Sequence, residues 1–502
     1  MINMEYYIPI KEAAMNFCTP EQAGISSARV LDFLRSLDDW HLSTHSILLS
    51  RGDKIFAECY WAPFDKDFKH RMYSTSKSIV SVAIGFCVQD GLVSLDDPMA
   101  KYFPEYAGKP VMPDTAVREM LQMKTTREGS LGWFKLHAPD RAALYFEQPG
   151  HKHAGTLFSY DSQGTFMLGA LVENVTGKPF MDYLKEKVFG EMGAFEDAYC
   201  LTCPGGHSWG DSGVMCTSRD LWHFARFVQN DGAWNGKQYL NKAFLDEATT
   251  TTVPNNPYGF RDHHDTNGYG YQFWGTHNGC YATLGMGGQV SVCDPKHDAI
   301  FVMTADNQGN PNAYEQVFTM LHAYVLDHLG DPLPEDPAAK AELDAYIATR
   351  KLFCLPKAPV SPFAEKIAGK VFDCEPSATG IKWFHLDFDG DEGSFTYENA
   401  QGEKQFSFGF GHNVFAKFPE EGYSDTVGNT FTPGHYYDAA FSADWPDERT
   451  FRVRVQIIDK YFGNLSMMIG WCNEKIASIR FTRKAEDFLH EYDGLVNAAA
   501  RQ

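Results

Sequence analysis

Ser74 and Lys77 stand three residues apart in "RMYSTSKSIVSVAIGF", at the head of an apolar run. A serine hydroxyl is a poor nucleophile until a base is placed beside it to take its proton. If a helix starts at or just after Ser74, the side chain three positions on lies over the same face. The lysine amine then sits next to the hydroxyl at a helix N-terminus, where free N–H groups and the helix dipole favour an oxyanion. The same dipole, with partial burial, disfavours an ammonium and frees the amine to accept a proton. Such a spacing arises by chance roughly once in a chain of this length. A serine cap followed by a surface lysine therefore stays open on these residues alone, although the apolar residues around Lys77 fit it poorly.

Two further stretches carry groups suited to the same chemistry. "TLFSYDSQGTFMLGALVENVTGKPFMDYL" places Tyr160 and Ser162 just before a helix with Met167, Leu168 and Leu171 on its buried side. A phenol on such a turn can pass protons to a leaving group, and the short polar residue beside it can hold the lysine. Taken alone, a tyrosine in such a turn is more often structural than catalytic. "TLGMGGQVSV" sets Gly285, Gly287 and Gly288 in or before a strand, where glycine lets a substrate or another chain come close. A backbone N–H from this strand, with that of Ser74, could hold a tetrahedral oxyanion. A β-bulge is the plain alternative.

The elements that must position these groups follow from periodicity and punctuation. "HSILLSRGDKIFAECYW" reads as two strands joined at Arg51-Gly52-Asp53. Ser76 to Gln89 reads as a buried helix, with Ile79, Val80, Ala83, Ile84 and Cys87 at helical spacing, stopped by Gly91. "DTAVREMLQM", with Asp114 as N-cap, and "RDLWHFARFVQN" read as amphipathic helices. "YATLGMGGQVSVCDPKHDAIFVMTADN" reads as two strands turning at Asp294-Pro295-Lys296, and a helix is expected from about Asn312 to Leu329. Strands at both ends of this region with helices between predict an α/β (α+β) domain: an antiparallel sheet flanked by helices. After "GDPLPEDP" come a helical connector, "AAKAELDAYIATRKL", and a proline-bearing linker, "CLPKAPVSPF". Short alternating runs from about residue 363 then predict a small antiparallel β-barrel or sandwich. The expected division is 1–332, a connector and linker at 333–362, a β domain at 363–485, and a C-terminal helix and tail at 486–502 built on "AEDFLHEYDGL".

Composition sets limits on partners. The chain has 502 residues, 44% hydrophobic and 14% aromatic, which predicts folded domains and excludes disorder over most of its length. A formal charge of −21 argues against nucleic acid and anionic membrane surfaces as partners. Eleven cysteines are scattered, and the one Cys-x-x-Cys, Cys200 to Cys203, lacks a second pair to complete a zinc site. "HKH" at His151 to His153 and "RDHHD" at Arg261 to Asp265 read as solvated loops without a third ligand at a recognised spacing. Hence no metal and no cofactor are expected. With no basic-then-apolar start and no run long enough to span a bilayer, a cytoplasmic setting is the expectation.

Taken in order, Ser-x-x-Lys, a Tyr-x-Ser turn and a Gly-rich strand resemble the penicillin-recognising serine hydrolases. The resemblance is closest to the class C β-lactamase-like group, with its esterases, D-stereospecific peptidases and 6-aminohexanoate-oligomer hydrolases. "DGLVSLDDPMAKYFPE", "SQGTFMLGALVENVTGKPF", "GDSGVMCTSRDLWHFARFVQNDGAWNG" and "NGYGYQFW" fall where that group has its supporting phrases, over roughly residues 20 to 330. The resemblance implies a β-lactamase/transpeptidase-like sheet domain plus an all-helical lobe, with the active site between them. It implies Ser74 as acylated nucleophile, Lys77 as base partner, Tyr160 as proton shuttle, and Ser162 where the group has Asn or Ser. The oxyanion hole falls to the backbone N–H groups of Ser74 and Met286. The third motif departs: Thr283, Leu284 and Gly285 stand where β-lactamases and peptidases carry Lys-Thr-Gly or His-x-Gly, so the cation that grips a substrate carboxylate is missing. "Tyr-x-x-x-Gly-x-x-Gly-Gln", Tyr281 to Gln289, is similar to the esterase and aminohexanoate-oligomer hydrolase branch. This implies a small ester, amide or short peptide as substrate, with Ser162, Thr283, Gly285, Trp133, Trp274 and Tyr281 facing it. The alternatives are a β-lactamase, a D-amino-acid-specific peptidase, or a catalytically weak penicillin-binding-like sensor. The C-terminal domain resembles the lipocalin-like domains appended to some of these peptidases through "IAGKVFDCEP" and its strand texture. Capping the cleft, mediating homo-oligomerisation, or neither, stay open for it.

Overall fold

Strands β2 (Thr44–Arg51) and β3 (Lys54–Tyr60) form the first hairpin of the computed structural model, turning at Gly52 with φ +56°. The structure describes residues 15–109, 114–130, 137–256, 264–429, 431–486 and 488–502. Strands of the two main sheets are numbered here in chain order. With β1 (Asn16–Phe17), β4 (Trp274–Gly275), β5 (Tyr281–Gly285), β6 (Gln289–Asp294) and β7 (Ala299–Ala305), the hairpin makes a seven-stranded sheet in the order β1-β3-β2-β7-β6-β5-β4. All neighbours are antiparallel except β1 and β3. Where two strands were expected between Tyr281 and Asn307, there are three. Gly287 and Gly288 adopt φ +84° and +114°, values open to glycine and strained for other residues, and fold one apparent strand into the β5–β6 hairpin.

Alternation along these strands separates two faces. Ile47, Leu49, Ala282, Leu284, Val290, Val292, Phe301 and Met303 pack with helices α1 (Ser27–Asp39) and α5 (Ala313–Tyr324) into one apolar core. The opposite face takes α4 (Ser218–Gln229), pinned where Trp222 Nε1 donates to Ser50 Oγ at 2.7 Å and Arg226 reaches Asp53 at 2.8 Å and Asp298 at 2.5 Å. Helix α2 (Ser76–Gln89) is buried on nearly every side, as its all-round apolar sequence requires. Beside it lies α3 (Ser162–Thr176), opened by the Asp161 side chain accepting from Gly164 N–H and closed by Gly177 in the left-handed region. The short helix Val117–Leu121 is capped at Ala116, whose N–H donates to the Glu119 carboxylate at 2.8 Å, and not at Asp114. The glutamate three residues into the helix reaches back to do the work expected of the earlier aspartate. Among the described residues no helix is long and apolar enough to cross a membrane.

By its internal contacts the chain divides into two units. The sheet domain holds 1–305, 312–351 and 426–428, and the second unit holds 306–311, 352–425 and 429–502. The second unit is a closed nine-stranded barrel. Its strands are β8 (Phe372–Cys374), β9 (Trp383–Asp389), β10 (Glu392–Asn399), β11 (Gly402–Gly409), β13 (Asp438–Asp447), β14 (Thr450–Ile458), β15 (Phe462–Asn473), β16 (Ile476–Lys484) and β17 (Gly494–Ala500). The ring runs β11-β10-β9-β8-β17-β16-β15-β14-β13 and closes where Gly409 pairs with Ser442, while β12 (Val414–Lys417) adds to the free edge of β13. The expected C-terminal helix is corrected: Gly494–Ala500 is the strand between β8 and β16. The helix-like spacing of Phe488, Leu489 and Tyr492 instead belongs to a turn that buries those three side chains, with Leu489 at φ +61°. Without β17 two sheet edges would stand unpaired, so closure outweighs the local helical preference.

Aromatic rings fill the barrel, with Phe372 stacked on Phe384 at 5.2 Å, Phe406 on Phe441 at 5.0 Å and Trp445 on Trp471 at 5.9 Å. One carboxylate sits among them. Glu420, 1% exposed, accepts from Tyr492 Oη at 2.6 Å and from Asn399 Nδ2, and pairs with Lys404 Nζ at 2.6 Å. Glu420→Leu removes the charge partner of Lys404, whose ammonium keeps only Gln401 Oε1 at 3.0 Å and Pro419 O at 2.9 Å as acceptors, and leaves the Tyr492 hydroxyl without its carboxylate. It should cost the barrel about 3–5 kcal/mol, read as a lowered midpoint in denaturant.

Candidate active site

A strained turn presents Ser74. Tyr73, immediately before it, has φ +45°, a left-handed conformation uncommon for a non-glycine residue, and opens the 3₁₀ turn Tyr73–Thr75 that runs directly into α2. The surroundings hold the turn in place. Met72 N–H donates to Val214 O at 2.7 Å, Ser76 Oγ accepts from Val214 N–H at 3.1 Å, and Thr75 Oγ1 donates to Gln289 O at 2.7 Å. From the sheet side Gly285 closes in: a Cβ there would lie 2.2 Å from Met72 O and 3.1 Å from Thr75 N. Glycine is required at 285 by this close approach of two backbones.

Lys77 Nζ lies 3.2 Å from Ser74 Oγ and donates to the Asp211 carbonyl oxygen at 2.6 Å. The residue is 1% exposed, and its pKa is lowered from 10.5 to about 8. Burial is the largest cause. The carboxylates of Asp211 and Asp161 oppose it, and the guanidinium groups of Arg141 and Arg71 act with it. Arg71 is sandwiched between the rings of Tyr73 and Trp209, at 4.2 and 4.1 Å, and donates to Ser212 O at 3.0 Å and Ser212 Oγ at 2.7 Å. Arg141 lies over Phe166 at 4.6 Å, 3.2 Å from Cys203 Sγ and 3.9 Å from Asp211 Oδ1, with both members of the pair fully buried. The amine thus faces a carbonyl and a hydroxyl, with two cations behind it. It is poised to lose or accept a proton near neutral pH.

Tyr160 completes the group. Its ring lies 5.3 Å from Lys77 Nζ, and burial raises its pKa, so it stays a neutral donor. Trp274 stacks on the Tyr160 ring at 5.4 Å, and Tyr269 and Phe158 pack edge-on to Trp274 at 4.8 and 6.0 Å. The loop is clamped by Ser130, whose Oγ donates to Tyr160 O at 3.2 Å and accepts from Ser162 N–H at 2.8 Å.

The other residues singled out by sequence fall as follows. Ser162 lies in the first turn of α3 and is buried, while the Lys77 amine is held by Ser74 Oγ and Asp211 O. Thr283 is buried beneath the Ser74 turn, its hydroxyl bonded to Ser291 Oγ at 2.9 Å and to Thr75 Oγ1 at 3.3 Å. Tyr281 shares the Thr283 face but lies four residues, about 13 Å, from Gly285, and packs edge-on to Phe273 at 6.0 Å. Met286 is exposed at the tip of the β5–β6 turn. Trp133 lies outside the described residues, as do Arg261 to His263. His264 pairs with Glu315 at 3.2 Å, and among the described residues no group of three His, Cys, Asp or Glu could hold a metal ion. Sequence reading missed Arg71, Arg141 and Asp211. "GDSG" was noted as a phrase, but no spacing reveals that two isolated arginines are buried against it.

Comparison with known proteins bears on the fold and the family. Residues 37–323, more than half of the chain, match the family described as Beta-lactamase. A 6-aminohexanoate-dimer hydrolase of Paenarthrobacter ureafaciens is 28% identical over 281 residues, 52% of this chain and 71% of that protein. A β-lactamase of Yersinia enterocolitica is 28% identical over 134 residues, 25% of this chain and 33% of its own. A solved structure from Bacillus anthracis, described as a candidate 6-aminohexanoate-dimer hydrolase, superposes with a TM-score of 0.53 at 19% identity, over 65% of this chain and 90% of that one, which supports the fold.

Proposed function

This chain belongs to the beta-lactamase family of serine hydrolases, and on that premise we propose that it cleaves a small ester or amide through an acyl-enzyme on Ser74. The observation that carries the reading is the Lys77 amine, buried, 3.2 Å from Ser74 Oγ and with a pKa of about 8. Neutral Lys77 takes the Ser74 proton as Oγ attacks the substrate carbonyl carbon. The carbonyl oxygen becomes an oxyanion facing the N–H groups of Ser74 and Met286. As the tetrahedral intermediate collapses, the C–O or C–N bond breaks and the Tyr160 phenol hands a proton to the leaving group, recovering one from the Lys77 ammonium. Water repeats the sequence on the acyl-enzyme, releasing the acid and restoring Ser74. The directions of the two shifts support these roles: burial makes Lys77 a readier base and keeps Tyr160 protonated.

Two observations favour esters and simple amides over β-lactams and D-peptides. The Thr283 hydroxyl is already engaged by Ser291 and Thr75, so it does not serve a substrate carboxylate. Trp274 and Phe158, both half-buried, offer apolar surface beside Tyr160, with the buried Tyr269 packed behind them.

The test is intact-protein mass spectrometry after incubation with a fluorophosphonate, with p-nitrophenyl esters and with β-lactams, followed by peptide mapping. An adduct on Ser74 is expected from the fluorophosphonate, a transient one from the esters and slow or no turnover of the β-lactams, with no adduct in Ser74→Ala. A folded wild-type protein that is unmodified at Ser74 by every probe would sink the reading.

A further inference from the structure

Gly285 and Met286 share one peptide unit, and the structure grips that unit from behind. The Tyr314 hydroxyl donates to the Gly285 carbonyl oxygen, which also accepts the Gly288 N–H at 3.1 Å. In a trans peptide the carbonyl and the N–H that follows it point in opposite directions. A donor fixed on Gly285 O therefore fixes where the Met286 N–H aims. The neighbouring peptides are anchored too: Met286 O accepts from Gln289 Nε2 at 3.0 Å, and Gln289 O from Thr75 Oγ1 at 2.7 Å.

We propose that Tyr314 is the positioning residue of the oxyanion hole: its phenol aligns and polarises the Gly285–Met286 peptide so that the Met286 N–H meets the developing negative charge. The inference rests on the reading of Ser74 as nucleophile. Hydrogen bonds in series polarise one another, so a donor on the carbonyl strengthens the N–H on the far side of the same amide. Tyr314 suits the task. It stands in the first turn of α5, its ring stacked on His264 at 5.2 Å and 19°, and His264 Nδ1 lies 3.2 Å from Glu315 Oε2 on the same helix. Burial raises the Tyr314 pKa, which keeps the phenol in its donating form. Tyr314 is not placed to touch the reacting atoms in this scheme. It acts through the backbone.

Tyr314→Phe removes the donor and keeps the ring. Acylation by a p-nitrophenyl ester should slow about 10- to 100-fold in kcat, below the full loss of an oxyanion donor, with KM changed by no more than about twofold. Affinity for a trifluoromethyl ketone, which forms an oxyanion adduct on the serine, should fall in step with kcat/KM. Binding of the product acid should stay at the wild-type value, and the melting temperature should fall only by about 2–4 °C, the cost of one lost hydrogen bond. Equal kcat and equal ketone affinity in variant and wild type would overturn the proposal. So would a uniform weakening of ketone and product together, which marks a packing role alone. Should the Phe variant fold poorly, site-specific fluorotyrosine at 314 keeps the shape and makes the phenol a stronger donor. Ketone affinity should then rise, and an unchanged affinity counts against the proposal. A wild type that forms no Ser74 adduct overturns the hydrolase reading and this inference with it. Equal acylation of wild type and variant overturns this inference alone.

Discussion

Lys77→Met should abolish ester turnover and, at neutral pH, make the protein more stable. The loss of a general base beside the nucleophile removes about 10²–10⁴-fold in rate, and nothing else in the described site offers Ser74 an amine. The gain in stability follows from the same burial. A fall in pKa from 10.5 to about 8 means that folding opposes the charged form by about 3 kcal/mol. Methionine removes that cost and leaves the Asp211 carbonyl without its donor, which returns about 1–2 kcal/mol. A net rise in melting temperature of about 2–4 °C is expected at pH 7. The sign with pH is fixed. Below pH 8 Lys77 is protonated in both folded and unfolded chains, and the wild type bears the whole penalty. Between pH 8 and 10.5 the unfolded chain binds more protons than the folded one, so wild-type stability rises relative to the variant and the difference fades. Wild-type kcat/KM should climb with pH to a plateau just above 8 as the amine becomes neutral. Calorimetry across pH 6–10 and a pH–rate profile check both halves. A Met variant that is active, or less stable than wild type at pH 7, would count against the assignment of Lys77.

Gly285→Ala should cripple ester turnover by displacing the turn that carries Ser74. The new Cβ would meet Met72 O at 2.2 Å, Thr75 N at 3.1 Å and Gln289 Cβ at 3.1 Å; the first two are backbone and cannot swing aside as a side-chain tip would. Either β5 or the nucleophile turn must move by about 1 Å, and a displacement of that size at the reacting centre costs about 10²-fold in rate. Overpacking should also cost about 1–3 kcal/mol of stability. Gly108→Ala, in open space, is the control and should change neither quantity. Kinetics and thermal melting of the two variants decide it; an active Gly285→Ala protein would overturn the requirement for glycine at this close approach.

What the sequence revealed and what it hid follow from range. The buried helix Ser76–Gln89 was legible to the residue, because an apolar run bounded by polar residues and a glycine is local information. The Ser74, Lys77 and Tyr160 group was legible as types and spacing, and the coordinates draw the three side chains together. The strained φ of Tyr73 was not legible, since it is imposed by Val214, Gln289 and Gly285 pressing on the turn from distant parts of the chain. Neither was the burial of Arg71 and Arg141. An arginine in a mixed segment normally reaches water, and only the assembled lobe supplies Trp209, Ser212 and Asp211 to hold these two. The closing strand Gly494–Ala500 was misread because its partners lie on either side in space and more than a hundred residues apart in sequence.

The order of the seven-stranded sheet bears on how the protein is made. β2 and β7 are neighbours at its centre, and Ser46 and Thr304, bonded across them at 2.6 Å, are 258 positions apart. During synthesis β2 leaves the ribosome long before its partner exists, with seven of its eight residues destined for burial. Until residues 299–305 arrive, that strand is an open apolar edge able to pair with any other chain. Such a sheet, built from its outer hairpins toward a central seam, has high contact order and is expected to fold slowly. The seam also acts as a proofreading step. The Gly285 strand cannot press on the Ser74 turn until the second half of the sheet docks beside the first, so a chain cut short before β7 carries every residue of the nucleophile pair and no active site.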